Sequence, residues 1–160
     1  YGTGLNAILT YLSNLQGKCN VFFHGIDVCP INIQIGRELG YEQILNVDEN
    51  IFTDFYTSWN DEIKISSNFR LLKQEVSINK LISKRFYDLV YFDAFSPETQ
   101  PEMWTVEVFE RLYKLINKGG ILVTYSSKGL VKQNLRTAGF DVRRHPGPPG
   151  KKHVIRATKL

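Results

Sequence analysis

Cysteine is scarce in this chain: two residues in 160, Cys19 and Cys29, ten apart. That spacing matches neither a zinc-ligand pattern nor a disulfide framework, and it points to a reducing, cytoplasmic compartment. Long hydrophobic runs are missing too. No apolar stretch approaches the roughly 20 residues of a membrane span, and the purest ones, such as Gly120-Ile121-Leu122-Val123, are strand-sized, so the chain is not expected to cross a bilayer. No basic segment followed by an apolar one opens the sequence, and it begins at Tyr1 rather than Met, so its start carries no targeting information. Repeats, low-complexity tracts and Gly/Ser linkers are absent, which favours one domain over residues 1–160. His24, His145 and His153 show no ligand spacing, and no serine sits in a nucleophile elbow, which argues against metal and acyl-enzyme chemistry.

What is present is ordinary in amount and uneven in distribution. Hydrophobic residues make up 42% and charged residues 22%, the usage of a folded globular domain rather than of a disordered or coiled-coil chain. Such a length buries roughly 68–70% of its unfolded surface and needs no staple. The net charge of +4 hides an asymmetry. Residues 1–110 carry eight Lys and Arg against fifteen Asp and Glu, a net −7, whereas residues 111–160 carry twelve against one, a net +11. A polyanionic partner contacted by the C-terminal third explains this, as does a solvated lysine-rich face.

Along the chain, helical and strand patterns alternate. Leu5, Ile8, Leu9, Leu12 and Leu15 recur every three or four residues, one stripe of a helix ended near Gly17. Val21 to Asp27 reads as a buried strand, Pro30 as the first turn of a helix running to about Gly40, and Ile44 to Trp59 as irregular helix. Phe69 to Gln74 is a strand, Ile78 to Ser83 a short helix, and Tyr87 to Asp93 a strongly apolar buried strand. A helix over Val106 to Ile116 is expected to close at Gly119-Gly120, followed by a strand over Ile121 to Tyr125 and a helix from about Lys128 to Ala138. Two short strands, Phe140 to Arg144 and Val154 to Thr158, flank a Pro/Gly-rich loop. The alternation predicts an α/β fold: a mostly parallel sheet covered by helices, with the final pair as an antiparallel exception at one edge.

Three places carry candidate chemistry. Gly2-Thr3-Gly4 opens the first helix, where glycines let backbone approach a ligand and the helix start presents free N–H groups; a plain turn explains it equally simply. Asp27 follows at the end of the next strand, where doubly wound folds place an acid on a ribose diol, or where it caps the helix near Pro30. Asp93, in Phe92-Asp93-Ala94-Phe95-Ser96-Pro97, lies just past a strand at the carboxyl edge at which open α/β sheets bind ligands, or it fastens that loop. With Phe95, Trp104 and Tyr125 near in element order, a flat ring bearing a basic nitrogen is a candidate substrate, although each aromatic taken singly is an ordinary core residue.

These residues resemble a known set. Tyr1-Gly2-Thr3-Gly4-Leu5-Asn6 resembles the end of the S-adenosylmethionine loop of class I methyltransferases. Phe92 to Pro97, Pro101-Glu102-Met103-Trp104-Thr105, Gly119-Gly120 with Thr124 to Gly129, Ala138-Gly139-Phe140 and Gly147 to Lys152 are similar to the methyltransferase domain of the MnmC family, the tRNA (5-methylaminomethyl-2-thiouridine) methyltransferases. The resemblance implies a Rossmann-like class I fold and methyl transfer from S-adenosylmethionine to the aminomethyl nitrogen of the tRNA wobble uridine. By it, Gly2, Thr3, Gly4, Asn6, Asp27 and Ser77 fall on the cofactor site, Ser77 where the family has an Asp near the adenine amine. Asp93 falls on the transfer site, and Phe95, Pro97, Trp104, Tyr125, Lys128, Lys151 and Lys152 on the substrate side. The implied partner is the anticodon region of tRNA, contacted by the basic tail, with a separate or fused flavin-dependent oxidoreductase. The family's first strand and first loop glycine would precede Tyr1, so the chain reads as an N-terminally truncated methyltransferase domain without the flavin domain. Two other functions compete: an aminopropyl transferase of the same fold, which needs several acids for its polyamine, and a non-catalytic RNA-binding module.

Overall fold

The computed structural model describes residues 1–17 and 19–160. It comprises two compact units, Tyr1–Lys80 and Leu81–Leu160. In the first, α1 (Leu5–Ser13) leads to β1 (Val21–Asp27), three short helices, α2 (Ile33–Glu38), α3 (Tyr41–Leu45) and α4 (Glu49–Tyr56), and the strands β2 (Glu62–Ser66) and β3 (Phe69–Glu75). The sheet order is β1-β3-β2, with β1 parallel and β2 antiparallel to β3. Phe52, Phe55, Phe69, Leu71 and Ile8 are fully buried at its centre, each contributing about 1.5–3 kcal/mol of transfer free energy. Asp48 caps α4 by accepting from the N–H groups of Asn50 and Ile51 at 2.9 and 3.3 Å, satisfying two donors that a helix start leaves open.

The second unit contains β4 (Tyr87–Tyr91), a turn of 3-10 helix (Pro101–Trp104), α5 (Val106–Leu115), β5 (Ile116–Thr124), α6 (Gly129–Thr137), β6 (Asp141–Pro146) and β7 (His153–Thr158). Its sheet order is β4-β5-β7-β6. The last strand inserts between β5 and β6 and runs antiparallel to both. In each sheet all strands but one therefore run the same way, the α/β class expected, and β6, not β7, forms the edge. Phe109, Ile116, Leu122, Leu135 and Ile155 fill the core.

Several expected elements differ. Residues 78–80 form a turn closed by the Lys80 N–H on the Ser77 carbonyl at 2.9 Å, not a helix. The helix expected from Pro30 starts at Ile33, because Asn32 accepts from the Ile35 N–H at 3.0 Å and so fixes the cap. β2 was not anticipated; it is a hairpin partner of β3. Gly119-Gly120 do not cap α5 but lie inside β5, where the Gly119 N–H donates to the Lys159 carbonyl at 2.7 Å and a positive φ of 81° is absorbed. Finally, Tyr87–Tyr91 is a strand but not a buried one: at the edge of its sheet, Asp88, Leu89 and Tyr91 are exposed.

Candidate active site

In residues 1–80 the parallel pairing of β1 with β3 sets Asp27 opposite Glu75, so both strands end at one sheet edge. The Val76 N–H donates to the Asp27 carbonyl at 2.8 Å and carries the chain into Ser77 at that same edge. Gly2 and Gly4 adopt left-handed φ of 58° and 76°, a conformation that costs other residues about 1–2 kcal/mol. The turn they make aims the Gly2 N–H at Asp27 Oδ2 at 2.7 Å, while the Cys29 N–H meets Oδ1 at 3.0 Å. Burial alone would raise the Asp27 pKa; the N–H groups of Cys29 and Gly2 lower it, and the carboxyl is held below its ordinary value. Each oxygen thus stays anionic with lone pairs left over for further donors.

Three tyrosines hold the loop: Tyr1 of the glycine motif itself, and Tyr41 and Tyr56, which the sequence patterns did not mark. Tyr56 donates to the Thr3 carbonyl at 2.8 Å, Tyr41 to Thr3 Oγ1 at 3.3 Å, and Tyr1 to the Phe55 carbonyl at 2.8 Å. Lys73, fully buried on β3, donates to the Asp54 carbonyl at 2.7 Å and to the Thr57 carbonyl, tying down the C-terminal end of the helix that bears Tyr56. Burial pushes this ammonium down to about 8, against the opposing influence of Asp54. No local motif marks these residues, since their partners lie 16 to 54 positions away. Gly2, Thr3, Gly4, Asp27 and Ser77 are therefore brought to one edge, with Asn6 in the first turn of α1. An atom added at the Gly2 Cβ position meets nothing within 4 Å, so the space over the loop is open. A carboxylate with spare acceptors beside exposed glycine backbone suits the hydroxyls and polar ends of a nucleoside cofactor.

Residues 81–160 carry the other expected cluster. Asp93 is exposed just past β4. The loop after it is anchored from below: Tyr125 donates to the Ala94 carbonyl at 3.0 Å, and the indole of Trp104 donates to the Phe95 carbonyl at 2.8 Å. Trp104 is buried, edge-on to Tyr125 at 5.8 Å, so it braces the loop from within the core, whereas Phe95 stands 74% exposed beyond it and Pro97 is half-buried. Burial and then the charge of Asp93 raise the Tyr125 phenol, which places acid and ring as neighbours. Lys151 sits over the Tyr125 ring at 4.6 Å. Lys128 pairs with Glu98, and Lys152 is exposed on the Pro/Gly-rich loop. Asp93 and Lys151 are thus both neighbours of Tyr125, the cation over its ring, and Phe95 lies on the loop that Tyr125 and Trp104 anchor. Among the described residues no cluster of His, Cys, Asp and Glu could hold a metal ion, and no helix is long and apolar enough to cross a membrane.

A glycine loop followed by a strand-end acid fits a nucleoside cofactor, and comparison with known proteins decides which. The sequence profile of a family of S-adenosyl-L-methionine-dependent methyltransferases matches residues 43–160. The chain belongs to that family. Its cofactor is S-adenosyl-L-methionine, and it is a methyltransferase. Over 168 residues, covering 97% of this chain, it is 25% identical to the tRNA 5-methylaminomethyl-2-thiouridine biosynthesis bifunctional protein MnmC of Leptospira interrogans. To the protein of the same name from Ralstonia nicotianae it is 43% identical over 60 residues, 38% of this chain. The chain spans 25% of the first relative's length, and the second match covers 9% of that protein. The crystal structure of MnmC2 from Aquifex aeolicus superposes on 100% of this chain and 50% of its own, with a TM-score of 0.69 and 22% identity. The methyltransferase SibL in its apo form follows, with a TM-score of 0.53 and 15% identity over 99% of this chain and 48% of its own. These likenesses establish a Rossmann-like methyltransferase fold.

Proposed function

We propose that this methyltransferase acts on tRNA, transferring a methyl group to the aminomethyl nitrogen of 5-aminomethyl-2-thiouridine at the wobble position, in the cytoplasm. In this reading residues 1–160 serve as one methyltransferase domain, and flavin-dependent steps belong to a separate or fused oxidoreductase. The relatives named as tRNA-modifying proteins support the substrate class, and the exposed Asp93 beside the Tyr125 ring and Lys151 is the observation that carries it.

The cofactor supplies an electrophilic methyl on a sulfonium. Asp27 would take the ribose hydroxyls on its free lone pairs, and the amino-acid end would lie near Gly2 and Gly4, over the open space at Gly2; the expected free N–H groups are not there, because the Gly2 N–H is held by Asp27 and the Gly4 N–H by the Tyr1 carbonyl. Asn6 and Ser77 border that site. Little covalent work is asked of the protein; most acceleration comes from holding nitrogen and methyl about 3–3.5 Å apart and in line. An alkyl amine is mostly protonated near neutral pH, the reference value for Lys being roughly 10.4. Asp93 would accept the ammonium and, once its proton has passed to solvent, aim the lone pair at the methyl, so that the N–C bond forms as the C–S bond breaks and neutral S-adenosylhomocysteine leaves; the charge of Lys151 opposes the ammonium and favours the loss of its proton. The uridine stacks at Phe95 and Tyr125, with Pro97 shaping the loop, Trp104 supporting it, Lys152 facing phosphates, and Lys128 reaching them only by leaving Glu98.

A polyamine acceptor would meet Lys151 and the net +11 of residues 111–160, which disfavours aminopropyl transfer. The test is single-turnover transfer of labelled methyl to tRNA bearing 5-aminomethyl-2-thiouridine. Label in that nucleoside is expected. Label appearing in no tRNA, with S-adenosylhomocysteine still raising the melting temperature, would leave the methyltransferase and overturn the substrate; no shift in melting would favour an RNA-binding module.

A further inference from the structure

Helix α6 turns Val131 and Leu135 into the core of residues 81–160, and Lys132 and Arg136, each one step further round, share a face beside β6. The Arg136 guanidinium reaches the Val142 carbonyl of β6 at 3.5 Å. Arg144 stands two residues on along that strand, exposed. Lys132 and Arg136 lie one turn apart on α6, and loss of water and then the charges of Arg144 and Arg136 push the Lys132 ammonium below its ordinary value. The β6–β7 ladder repeats the pattern by setting Arg143 directly opposite Arg156, both exposed. Like charges placed so are destabilising. Arg143 is relieved by Asp141 at 2.9 Å, but among the described residues no carboxylate pairs with Lys132, Arg136, Arg144 or Arg156.

A charged edge strand discourages sheet-to-sheet association, yet that task needs charge on β6 alone and does not call for Lys132 and Arg136 on the neighbouring helix. Repulsion on both elements at once is relieved by a row of anions. We infer that the α6–β6 face, through Lys132, Arg136 and Arg144, binds the phosphodiester backbone of the RNA substrate as a footprint additional to the Asp93–Tyr125–Lys151 group. This rests on the RNA reading above. The face carries no aromatic stacking platform among these residues, so it reads backbone charge and not base identity.

The experiment measures binding of tRNA and of an unrelated RNA duplex by the whole protein as a function of salt, for the parent and for Lys132→Gln/Arg136→Gln/Arg144→Gln. Each lost phosphate contact removes about 0.7–0.9 from the log–log slope, so the triple variant is expected to be shallower by about 2 units and at least about tenfold weaker at low salt. S-adenosylhomocysteine affinity and the single-turnover methyl-transfer rate at saturating tRNA should stay at parent values. The charge-keeping variant Lys132→Arg/Arg136→Lys/Arg144→Lys should retain both slope and affinity, which keeps the result readable if the first variant folds poorly. Parent-like slope and affinity in the triple variant, with tRNA still methylated, would overturn this face and leave the substrate reading intact. A variant-sensitive duplex affinity in a protein that methylates no tRNA would do the reverse.

Discussion

Residues 1–80 carry six Lys and Arg against nine Asp and Glu, and residues 81–160 carry fourteen against seven, so a net −3 stands beside a net +7. The two units also hold their acids differently. Asp27 is tied to two backbone N–H groups and kept ionised by them, whereas Asp93 stands exposed beside a ring and a cation. A nucleoside of fixed shape is met by preset backbone, positioned by glycine dihedrals and tyrosine hydroxyls. On the proposed reading, RNA would be met by exposed cationic side chains instead, because charge attraction tolerates imprecise geometry.

The sharpest way to break this contrast is at Asp27. Asp27→Ala would remove the two charge-assisted hydrogen bonds proposed to the cofactor, each contributing roughly 1.5–3 kcal/mol, and should weaken S-adenosylhomocysteine binding by about a hundredfold or more in calorimetry while RNA affinity stays put. Unchanged affinity would take Asp27 out of the site. Asp93→Ala should act on the other side, lowering single-turnover methyl transfer at least about tenfold, equal to about 1.4 kcal/mol of barrier, with cofactor affinity unaltered. Asp93→Asn, which keeps an acceptor, should lie between. A parent rate in Asp93→Ala would reduce the acid to a loop fastener.

Backbone provides a smaller contrast. Gly4→Ala must adopt a φ of 76° with its new methyl 3.2 Å from the Tyr1 ring, so it should cost about 1–2 kcal/mol in thermal unfolding. Gly129→Ala, which meets nothing within 4 Å at the start of α6, should stay within about 0.5 kcal/mol. Equal losses would mean that the glycine loop is no more constrained than a helix end.

The most gradual effect is a slope in pH, and it too belongs to residues 1–80. Lys73 is held at about 8 in the fold against an ordinary 10.5. Between those values the unfolded chain binds more protons, so stability should rise with pH, by at most about 1.4 kcal/mol per unit. Lys73→Met should erase that rise. Asp27 acts at the other end: its depressed pKa contributes stability above the ordinary carboxylate range, lost as pH falls through the lowered folded value. A flat melting temperature from pH 8 to 10 in the parent would show that Lys73 is not desolvated.

The sequence by itself determined the α/β class, most of its elements and the strand-end positions of Asp27 and Asp93, because period-3.6 and period-2 apolar patterns and the residues ending them are local signals. The insertion of β7 between β5 and β6, the hairpin of β2 and the extended path through Gly119-Gly120 were decided by pairing between distant segments, which no window of sequence contains. The same holds for function. The glycine loop and the acids were legible as motifs. The contacts by which Tyr41, Tyr56 and Lys73 hold that loop, and the action of Arg136 and Arg144 on Lys132, exist only once the chain has folded, since a hydrogen bond or a like-charge interaction depends on distance in space and not on separation along the chain.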